Sequence, residues 1–230
     1  MRRIIHLTET DSTNTYVKNL LAHGESDVCV VADRQTGGRG RLGRTFESPS
    51  GGLYMTFTHR TDTSTGDALT ARVAVAAARA VERLCGLSVK IKWVNDLYAG
   101  GKKLCGILCE TVWKGDVPSA AVIGVGVNLW GVLPESIRDI ATTIESEGGT
   151  VPDRDTLARM IMDEFDRLTD FYEEYRDRQL FIGCTVTVHR GDENFTAVAE
   201  DIDESFAMVL RTEDGTQIAL SSGEISVRQG

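Results

Sequence analysis

Residues 89–129 read VKIKWVNDLYAGGKKLCGILCETVWKGDVPSAAVIGVGVNL, and this segment carries the clearest strand pattern in the chain. Apolar residues alternate with lysine over its first five positions, which is typical of a half-buried strand. Two longer apolar runs follow at 104–113 and 120–129, and Gly115-Asp116 between them is typical of a hairpin tip. The segment therefore predicts two long strands that are antiparallel neighbours.

The residues before and after this segment predict further strands and helices. Short apolar or alternating runs predict strands at 4–7, 29–32 and 52–59. Apolar residues at helical spacing predict three helices, one between Ser12 and Gly24, one over 69–84, and the longest over 153–178 with Asp153 as its cap.

The pattern changes after Cys184. Short alternating strands follow, TVTVH, FTAVAE, FAMVLR, QIALS and ISVR, separated by the turn pairs Arg190-Gly191, Asp214-Gly215 and Ser222-Gly223. This predicts a small antiparallel barrel or sandwich appended to a mixed α/β body, with the boundary near 180–184.

Composition narrows the function classes. The chain has 230 residues, with 25 Lys+Arg against 34 Asp+Glu and a net charge of −9. An acidic chain is a poor partner for nucleic acid, since phosphate binding needs a concentrated positive field. No apolar run reaches the roughly 18 residues of a membrane span, and the N-terminus turns polar too early for a secretory signal. We expect a cytoplasmic protein without a membrane or nucleic-acid partner.

Cysteine and histidine do not form a metal-binding pattern. The five cysteines are an odd number, mostly inside apolar runs, and the four histidines are scattered. Only Cys105 and Cys109 are close in sequence, and their spacing matches no zinc motif. We expect buried, reduced thiols, and the spacing predicts no metal site.

Residues 35–44, QTGGRGRLGR, combine four glycines with three arginines. Glycine lets a backbone turn sharply and bring its N–H groups to an anion, and arginine forks suit carboxylate and phosphate oxygens. A solvated flexible loop and an RNA-binding segment are the alternatives, and the stretch matches neither phosphate-loop pattern of nucleotide-binding folds.

Two other stretches place polar groups at strand ends. Lys92, Asn95 and Asp96 surround a tryptophan shortly before Lys103, and Asn128 ends a strand that contains glycines. A strand end holds polar groups rigidly, and a strand glycine lets a ligand approach closely. The alternative interpretation is that Asn95-Asp96 forms an ordinary turn and Lys103 is a surface charge.

Taken together, the motifs resemble those of a biotin protein ligase. They are DSTN (11–14), QTGGRGRLGR (35–44), KWVNDL (92–97), KLCGIL (103–108), IGVGVN (123–128) and GEISVR (223–228). The resemblance implies an α+β fold, in which a mixed central β-sheet flanked by helices, like that of class II aminoacyl-tRNA synthetases, precedes a small SH3-like β-barrel. It implies a catalytic biotin- and ATP-binding domain at 1–181 and a barrel domain at 182–230.

The resemblance also implies a two-step reaction. Biotin and ATP form biotinyl-5′-AMP, with Mg²⁺ accompanying the nucleotide, and a lysine of a biotin carboxyl carrier protein domain then takes the biotin. Neither step needs a covalent enzyme intermediate, so the absence of a catalytic triad pattern is expected. Both steps need positive charge around phosphate and carboxylate oxygens.

By the same resemblance, the motif residues receive roles. The catalytic residues are Lys103, Arg39 and Asp96, with Asp96 accepting a proton from the incoming lysine. Biotin is bound by Ser12, Thr13, Asn14, Gln35, Gly38, Arg39, Gly40, Arg41 and Lys103. ATP is bound by Arg39, Arg41, Arg44, Lys92, Asn95 and Asn128.

Further expectations accompany these roles. Ser12 to Asn14 also fit a plain helix cap, and residues 37–44 are expected to become ordered only around an anion. Some relatives carry a DNA-binding domain before the catalytic body; with a first strand at Ile4 we expect no repressor activity here. A homodimer is common among relatives. The rival readings are a lipoate ligase, an Arg/Gly RNA-binding module and a non-catalytic relative.

Overall fold

Seven strands form one mixed sheet in the computed structural model, which describes residues 2–60, 67–190, 193–221 and 223–227. The strands are β1 (Arg3–Leu7), β2 (Val28–Ala32), β3 (Gly52–His59), β4 (Lys90–Lys92), β5 (Asp96–Ala99), β6 (Lys102–Lys114) and β7 (Val117–Asn128). Three residues of the sequence motifs and turns, Gly191, Ser222 and Arg228, lie outside the described residues.

The strand order across this sheet is β1-β2-β3-β7-β6-β5-β4. The pair β1/β2 is parallel and every other pair is antiparallel. The predicted hairpin is confirmed, because β6 and β7 pair from Cys105↔Val127 to Lys114↔Val117. The predicted α+β class with a mixed central sheet is confirmed as well.

In the part of the chain that the structure describes, four helices accompany the sheet: α1 (Thr13–Ala22), α2 (Asp67–Cys85), α3 (Arg154–Arg167) and α4 (Tyr172–Asp177). The prediction of one long helix over 153–178 is wrong, because the backbone of Leu168 is extended and α4 begins only at Tyr172. The break is invisible in the periodicity, since apolar residues continue at similar spacing on both sides of it. Asp153 does cap α3, accepting a hydrogen bond from Thr156 N at 2.9 Å.

Different elements pack on the two faces of the first sheet. Helices α2 and α3 contribute to the large apolar core on one face. On the other face, Val17 of α1 packs with Val28, Val30 and Val122. Because side chains alternate along a strand, Gly124 and Gly126 share the face of Val122, so this face continues beyond α1 as bare backbone.

The C-terminal strands form a second, antiparallel sheet. They are β8 (Thr185–Arg190), β9 (Glu193–Ile202), β10 (Met208–Thr212), β11 (Gln217–Leu220) and β12 (Glu224–Val227), in the order β11-β10-β9-β8-β12. Within the described residues the sheet is open, with β11 and β12 as its edges, rather than the closed barrel that the resemblance implied.

Aromatic contacts join the second sheet to the first. The Phe206 ring stacks on that of Phe171 with centroids 5.3 Å apart, and its carbonyl accepts a hydrogen bond from Trp93 Nε1 at 3.0 Å. The helix break at Leu168 precedes Phe171 directly. One hydrophobic core therefore continues across the boundary predicted at 181/182. No helix in the described ranges has the length and apolar character needed to cross a membrane.

Candidate functional site

A cavity of about 120 Å³ lies on the face of the first sheet that α1 only partly covers. It brings together eleven residues predicted from the motifs: Ser12, Thr13, Asn14, Gln35, Arg39, Gly40, Arg41, Arg44, Asn95, Asp96 and Lys103. These come from four separate stretches of sequence, which the sheet and α1 gather around one space.

Three strand glycines form part of the cavity lining. Gly106 of β6 lies directly opposite Gly126 of β7, and Gly124 lies two residues away on the same face. A Cβ on Gly106 would lie 2.7 Å from the Phe46 ring, and one on Gly126 would lie 2.8 Å from Cζ of the same ring. The Phe46 ring thus rests on bare backbone and occupies space that side chains would otherwise fill.

The N-terminus of α1 forms a polar wall. Ser12 caps the helix, although its Oγ accepts only a long bond of 3.5 Å from Thr15 N. The backbone N–H and the hydroxyl of Thr13 both approach Gln35 Oε1, at 2.9 and 3.1 Å. Gln35 Nε2 in turn donates to Ser48 Oγ at 2.9 Å. The cap and ligand readings of these residues are therefore compatible, because the capping residues line the cavity.

Behind this wall, hydrogen bonds continue into the sheet. Asn14 is 5% exposed; its Nδ2 donates to Glu110 Oε2 at 2.8 Å, and its Oδ1 accepts from Thr56 Oγ1 at 2.6 Å. Lys18, one turn further along α1, donates to Glu110 Oε1 at 2.6 Å. The orientation of the wall is thus determined by β3 and β6.

Lys103 on β6 and Asp96 on β5 form an ion pair at the side of the cavity opposite the α1 wall. Lys103 Nζ lies 2.7 Å from Asp96 Oδ1, and these side chains are only 29% and 17% exposed. The ammonium also lies 5.6 Å from the centre of the Phe46 ring, within cation–π range. A partly buried lysine beside an aromatic ring is well placed to attract an anion that enters the cavity.

Residues 35–44, the arginine segment, close the remaining side of the cavity. A short 3-10 turn spans Arg41–Gly43, and Leu42 at its tip has φ 54° and is 71% exposed. Arg41 Nη1 reaches Asn95 Oδ1 at 3.4 Å, a long contact. Among the described residues, neither Arg39 nor Arg41 forms a salt bridge. Their charges therefore remain available to an anionic ligand.

Three of the predicted site residues do not line the cavity. Gly38, within the arginine segment, packs against Ser48, where a Cβ would collide with Ser48 Oγ. Lys92 lies on β4, with its Nζ 5.8 Å from the centre of the Tyr98 ring. Asn128 is buried and donates from Nδ2 to Thr142 O at 3.0 Å. Their roles in binding stay predictions.

The cysteines are free thiols, and none resembles an activated nucleophile. Burial raises the pKa of Cys109 to about 12, and it raises that of Cys105 further. A thiol with such a pKa is protonated at neutral pH and reacts slowly. The cavity chemistry therefore depends on charge and hydrogen bonding.

The donor set does not suit a resident metal ion. Within the residues described here, no three His, Cys, Asp or Glu side chains converge as metal ligands. The one carboxylate lining the cavity is Asp96, and Lys103 already occupies it. Mg²⁺ would therefore enter with a nucleotide and be held mainly by phosphate oxygens.

Sequence reasoning missed residues whose roles depend on strand register. Gly106 lines the cavity, and Thr56 and Glu110 support its wall. Gly106 did carry a signal, because a glycine inside a strand marks a close approach. Nothing in the sequence pairs Glu110 with a helix more than ninety residues earlier.

Comparisons with known proteins agree with this arrangement. A sequence model of the biotin/lipoate A/B protein ligase family matches residues 7–128, and one of the biotin protein ligase C-terminal domain matches residues 181–228. The bifunctional ligase/repressor BirA of Escherichia coli is 32% identical over 231 residues, covering 95% of this chain and 72% of that protein. The biotin–[acetyl-CoA-carboxylase] ligase of Paracoccus denitrificans is 29% identical, covering 92% and 95%.

A solved structure is similar over the whole chain. The biotin protein ligase of Aquifex aeolicus in complex with biotin and ATP superimposes with a TM-score of 0.84 at 29% identity. The match covers 100% of both chains, so it includes the central sheet and the C-terminal sheet alike.

Proposed function

The chain belongs to the biotin/lipoate A/B protein ligase family, and we propose that it activates biotin with ATP and transfers it to a lysine of a biotin carboxyl carrier protein domain. The observation that carries the proposal is the cavity. Four cations, Arg39, Arg41, Arg44 and Lys103, converge there beside a buried hydrogen-bonding wall. This is what a reaction between two anions requires, because a carboxylate and a phosphate repel each other until positive charge lies between them.

In the first step, an oxygen of the biotin carboxylate attacks the α-phosphorus of ATP. The bond to the bridging oxygen of the β-phosphate breaks, and pyrophosphate leaves with that electron pair. Lys103 lies on β6 beside the glycine pair, where its ammonium can contact both the carboxylate and the α-phosphate. The arginines of the 35–44 segment would neutralise the remaining phosphate oxygens.

In the second step, the amine of the carrier lysine attacks the acyl carbon of the mixed anhydride, and AMP leaves. The amine must lose a proton as the amide forms. Asp96 is assigned to accept it, since its carboxylate is only partly exposed and lies within 2.7 Å of Lys103. Lys103 thereby serves both steps, first at the phosphate and then beside the proton acceptor.

The cavity must enlarge to admit these substrates. Its volume of about 120 Å³ is below the roughly 300 Å³ of small ligand pockets. The Phe46 ring and the arginine segment are the parts expected to move, because Leu42 at the tip of the segment is 71% exposed and Gly40 N donates within the segment, to Arg44 O at 2.8 Å. Binding would lift the ring from the glycines and close the segment over the ligands.

Labelling of a carrier domain tests the proposal. Wild-type protein should transfer radiolabelled biotin to the carrier only when ATP is present. Lys103→Ala should lower the rate at least 100-fold, as expected when one charge-stabilising group is lost. Lys102→Ala is the matched control, because Lys102 neighbours it on β6 but points to Arg138 O at 3.2 Å and does not line the cavity. Equal rates for the two variants would contradict the role of Lys103.

The family name includes lipoate ligases, so the acyl substrate is tested separately. In an ATP–pyrophosphate exchange assay, biotin should support exchange and excess lipoate should not compete with it. Exchange driven by lipoate alone would replace the proposed substrate while leaving the adenylation chemistry intact.

We also propose that the protein forms a homodimer, as the resemblance to biotin ligases implies. Light scattering after size-exclusion chromatography should give twice the 25.1 kDa chain mass at micromolar concentration. A monomer mass at every concentration, with and without biotin and ATP, would reject this.

A further inference from the structure

Glu110 has no part in the proposed chemistry, yet it is bonded to the wall of the cavity. It lies on β6 four residues after Gly106, on the same face of the sheet, and its side chain is 28% exposed. Its two oxygens accept hydrogen bonds from Asn14 Nδ2 at 2.8 Å and Lys18 Nζ at 2.6 Å.

The carboxylate of Glu110 is ionised, and it is the stronger of two acceptors that orient Asn14, the other being Leu108 O, which accepts a long bond of 3.4 Å from Asn14 Nδ2. Burial raises the pKa of Glu110, but hydrogen bonds from Lys18 and Asn14, with the nearby charge of Arg39, outweigh burial and lower it below the usual range. An ionised carboxylate only accepts hydrogen bonds. The amide nitrogen of Asn14 must therefore face Glu110, and its oxygen must face Thr56.

The fixed direction of the hydrogen bonds continues through the hydroxyl groups of Thr56 and Thr13. Thr56 has one hydroxyl hydrogen, and the Asn14 oxygen, at 2.6 Å, receives it. The Thr56 oxygen is then an acceptor for the Thr13 hydroxyl, at 2.7 Å, and the other neighbour of that hydroxyl, Gln35 Oε1 at 3.1 Å, is also an acceptor. In either case the protein uses the Thr13 hydrogen, so Thr13 offers a ligand only lone pairs.

We infer that Glu110 is a positioning residue that sets this hydrogen-bond polarity: it keeps the Thr56 hydrogen on Asn14, so that Thr56 does not donate to Thr13 and the Thr13 lone pairs stay free for ligand N–H groups. The inference rests on the proposed function, in which those N–H groups belong to the ureido ring of biotin. Glu110 acts through Asn14 and Thr56 and does not touch the ligand. Loss of its charge should therefore weaken biotin binding without affecting the nucleotide.

Glu110→Gln tests the polarity without changing the shape of the side chain. The amide can donate to Asn14 and reverse the relay as far as Thr56, which would then donate to Thr13 and occupy one of its lone pairs. We expect the KM for biotin in pyrophosphate exchange to rise about tenfold, the scale of one impaired hydrogen bond, while the KM for ATP stays within about twofold. Lys18→Met is the matched control, since it removes the ion pair but leaves the carboxylate facing Asn14. It should leave both KM values within about twofold of wild type.

A double-mutant cycle distinguishes a change in the direction of these hydrogen bonds from a general loss of structure. Thr56→Val interrupts the relay between Asn14 and Thr13 and should raise the KM for biotin by itself. Adding Glu110→Gln to it should cause little further rise, because both act on one chain of bonds. Thr56→Ser keeps the hydroxyl and should retain the wild-type KM.

The outcomes distinguish this inference from the proposed function. A wild-type protein without biotin-dependent exchange overturns both. An active wild type whose Glu110→Gln variant keeps its KM for biotin overturns the inference alone. So does a Lys18→Met variant that matches Glu110→Gln, or a fully additive cycle.

Discussion

Replacing Gly124 with alanine tests how closely α1 lies against the sheet. The added Cβ would lie 3.0 Å from Cγ of Asn14 and closer still to its Oδ1. Real Cβ atoms do not tolerate such approaches, so one of the two side chains must move. Asn14 is 5% exposed and bonded on both sides, which leaves it no alternative position at low cost.

The expected loss follows from the bonds that Asn14 would give up. Its bond from Thr56 is neutral and contributes about 0.5–1.5 kcal/mol, whereas its bond to the Glu110 carboxylate contributes about 1.5–3 kcal/mol. Alanine also restricts the unfolded chain, which returns about 0.4–1 kcal/mol. The net decrease in the free energy of unfolding should be about 1–4 kcal/mol.

Urea unfolding followed by circular dichroism measures this, with Gly126→Ala as the control. That position is on the same strand and face, but its Cβ would meet the Phe46 ring, at 2.8 Å from Cζ, and the ring belongs to a loop that can shift. Gly126→Ala should lower the free energy of unfolding by less than about 1 kcal/mol. If the two variants differ by under about 0.5 kcal/mol, the close seating of α1 is wrong.

Three other predictions concern the protease sensitivity of residues 37–44, the pH dependence of the unfolding free energy and the contact made by the Phe206 ring. Trypsin should cut within 37–44 in the free protein and be blocked by biotin with ATP, whereas equal cutting in both states would contradict ordering by ligand. Burial raises the pKa of Glu174, but hydrogen bonds from Arg79 and Arg178 lower it below its ordinary 4.5, so its stabilisation is present above that pH and lost as the pH falls through the lowered pKa. Glu174→Gln should therefore flatten the acid limb of the unfolding free energy, which an unchanged limb would refute. Phe206→Ala should cost about 3 kcal/mol in urea unfolding, since it removes the aromatic contact between the sheets; a loss below about 1 kcal/mol would show that this contact adds little.

Local patterns predicted much of the fold. The hairpin of β6 and β7 followed from two apolar runs around Gly115-Asp116, because a turn pair and strand alternation both act within a few residues. The break after Arg167 could not be predicted in this way. It depends on Phe171 reaching the Phe206 ring, a contact between residues thirty-five positions apart.

The candidate site shows the same division. The motif residues were recognisable one stretch at a time, and eleven of them line one cavity. The glycine pair Gly106 and Gly126 becomes one surface only through the register of β6 with β7. Glu110 becomes part of the wall only because α1 crosses that surface. Such residues are determined by strand pairing, which the sequence alone does not state.

The charge distribution gives the cavity a further property. The chain carries a net charge of −9, yet the described residues that line the cavity include four cations and only one carboxylate, Asp96. A net negative chain repels anions on average, and the low-dielectric walls of the cavity concentrate the field of its cations. Because Lys103 is paired with Asp96, an arriving anion first meets the arginines, of which Arg39 and Arg41 have no salt-bridge partner among the described residues. The 35–44 segment therefore carries the charge that the substrates encounter first, and we expect their binding to be coupled to the closure proposed for it.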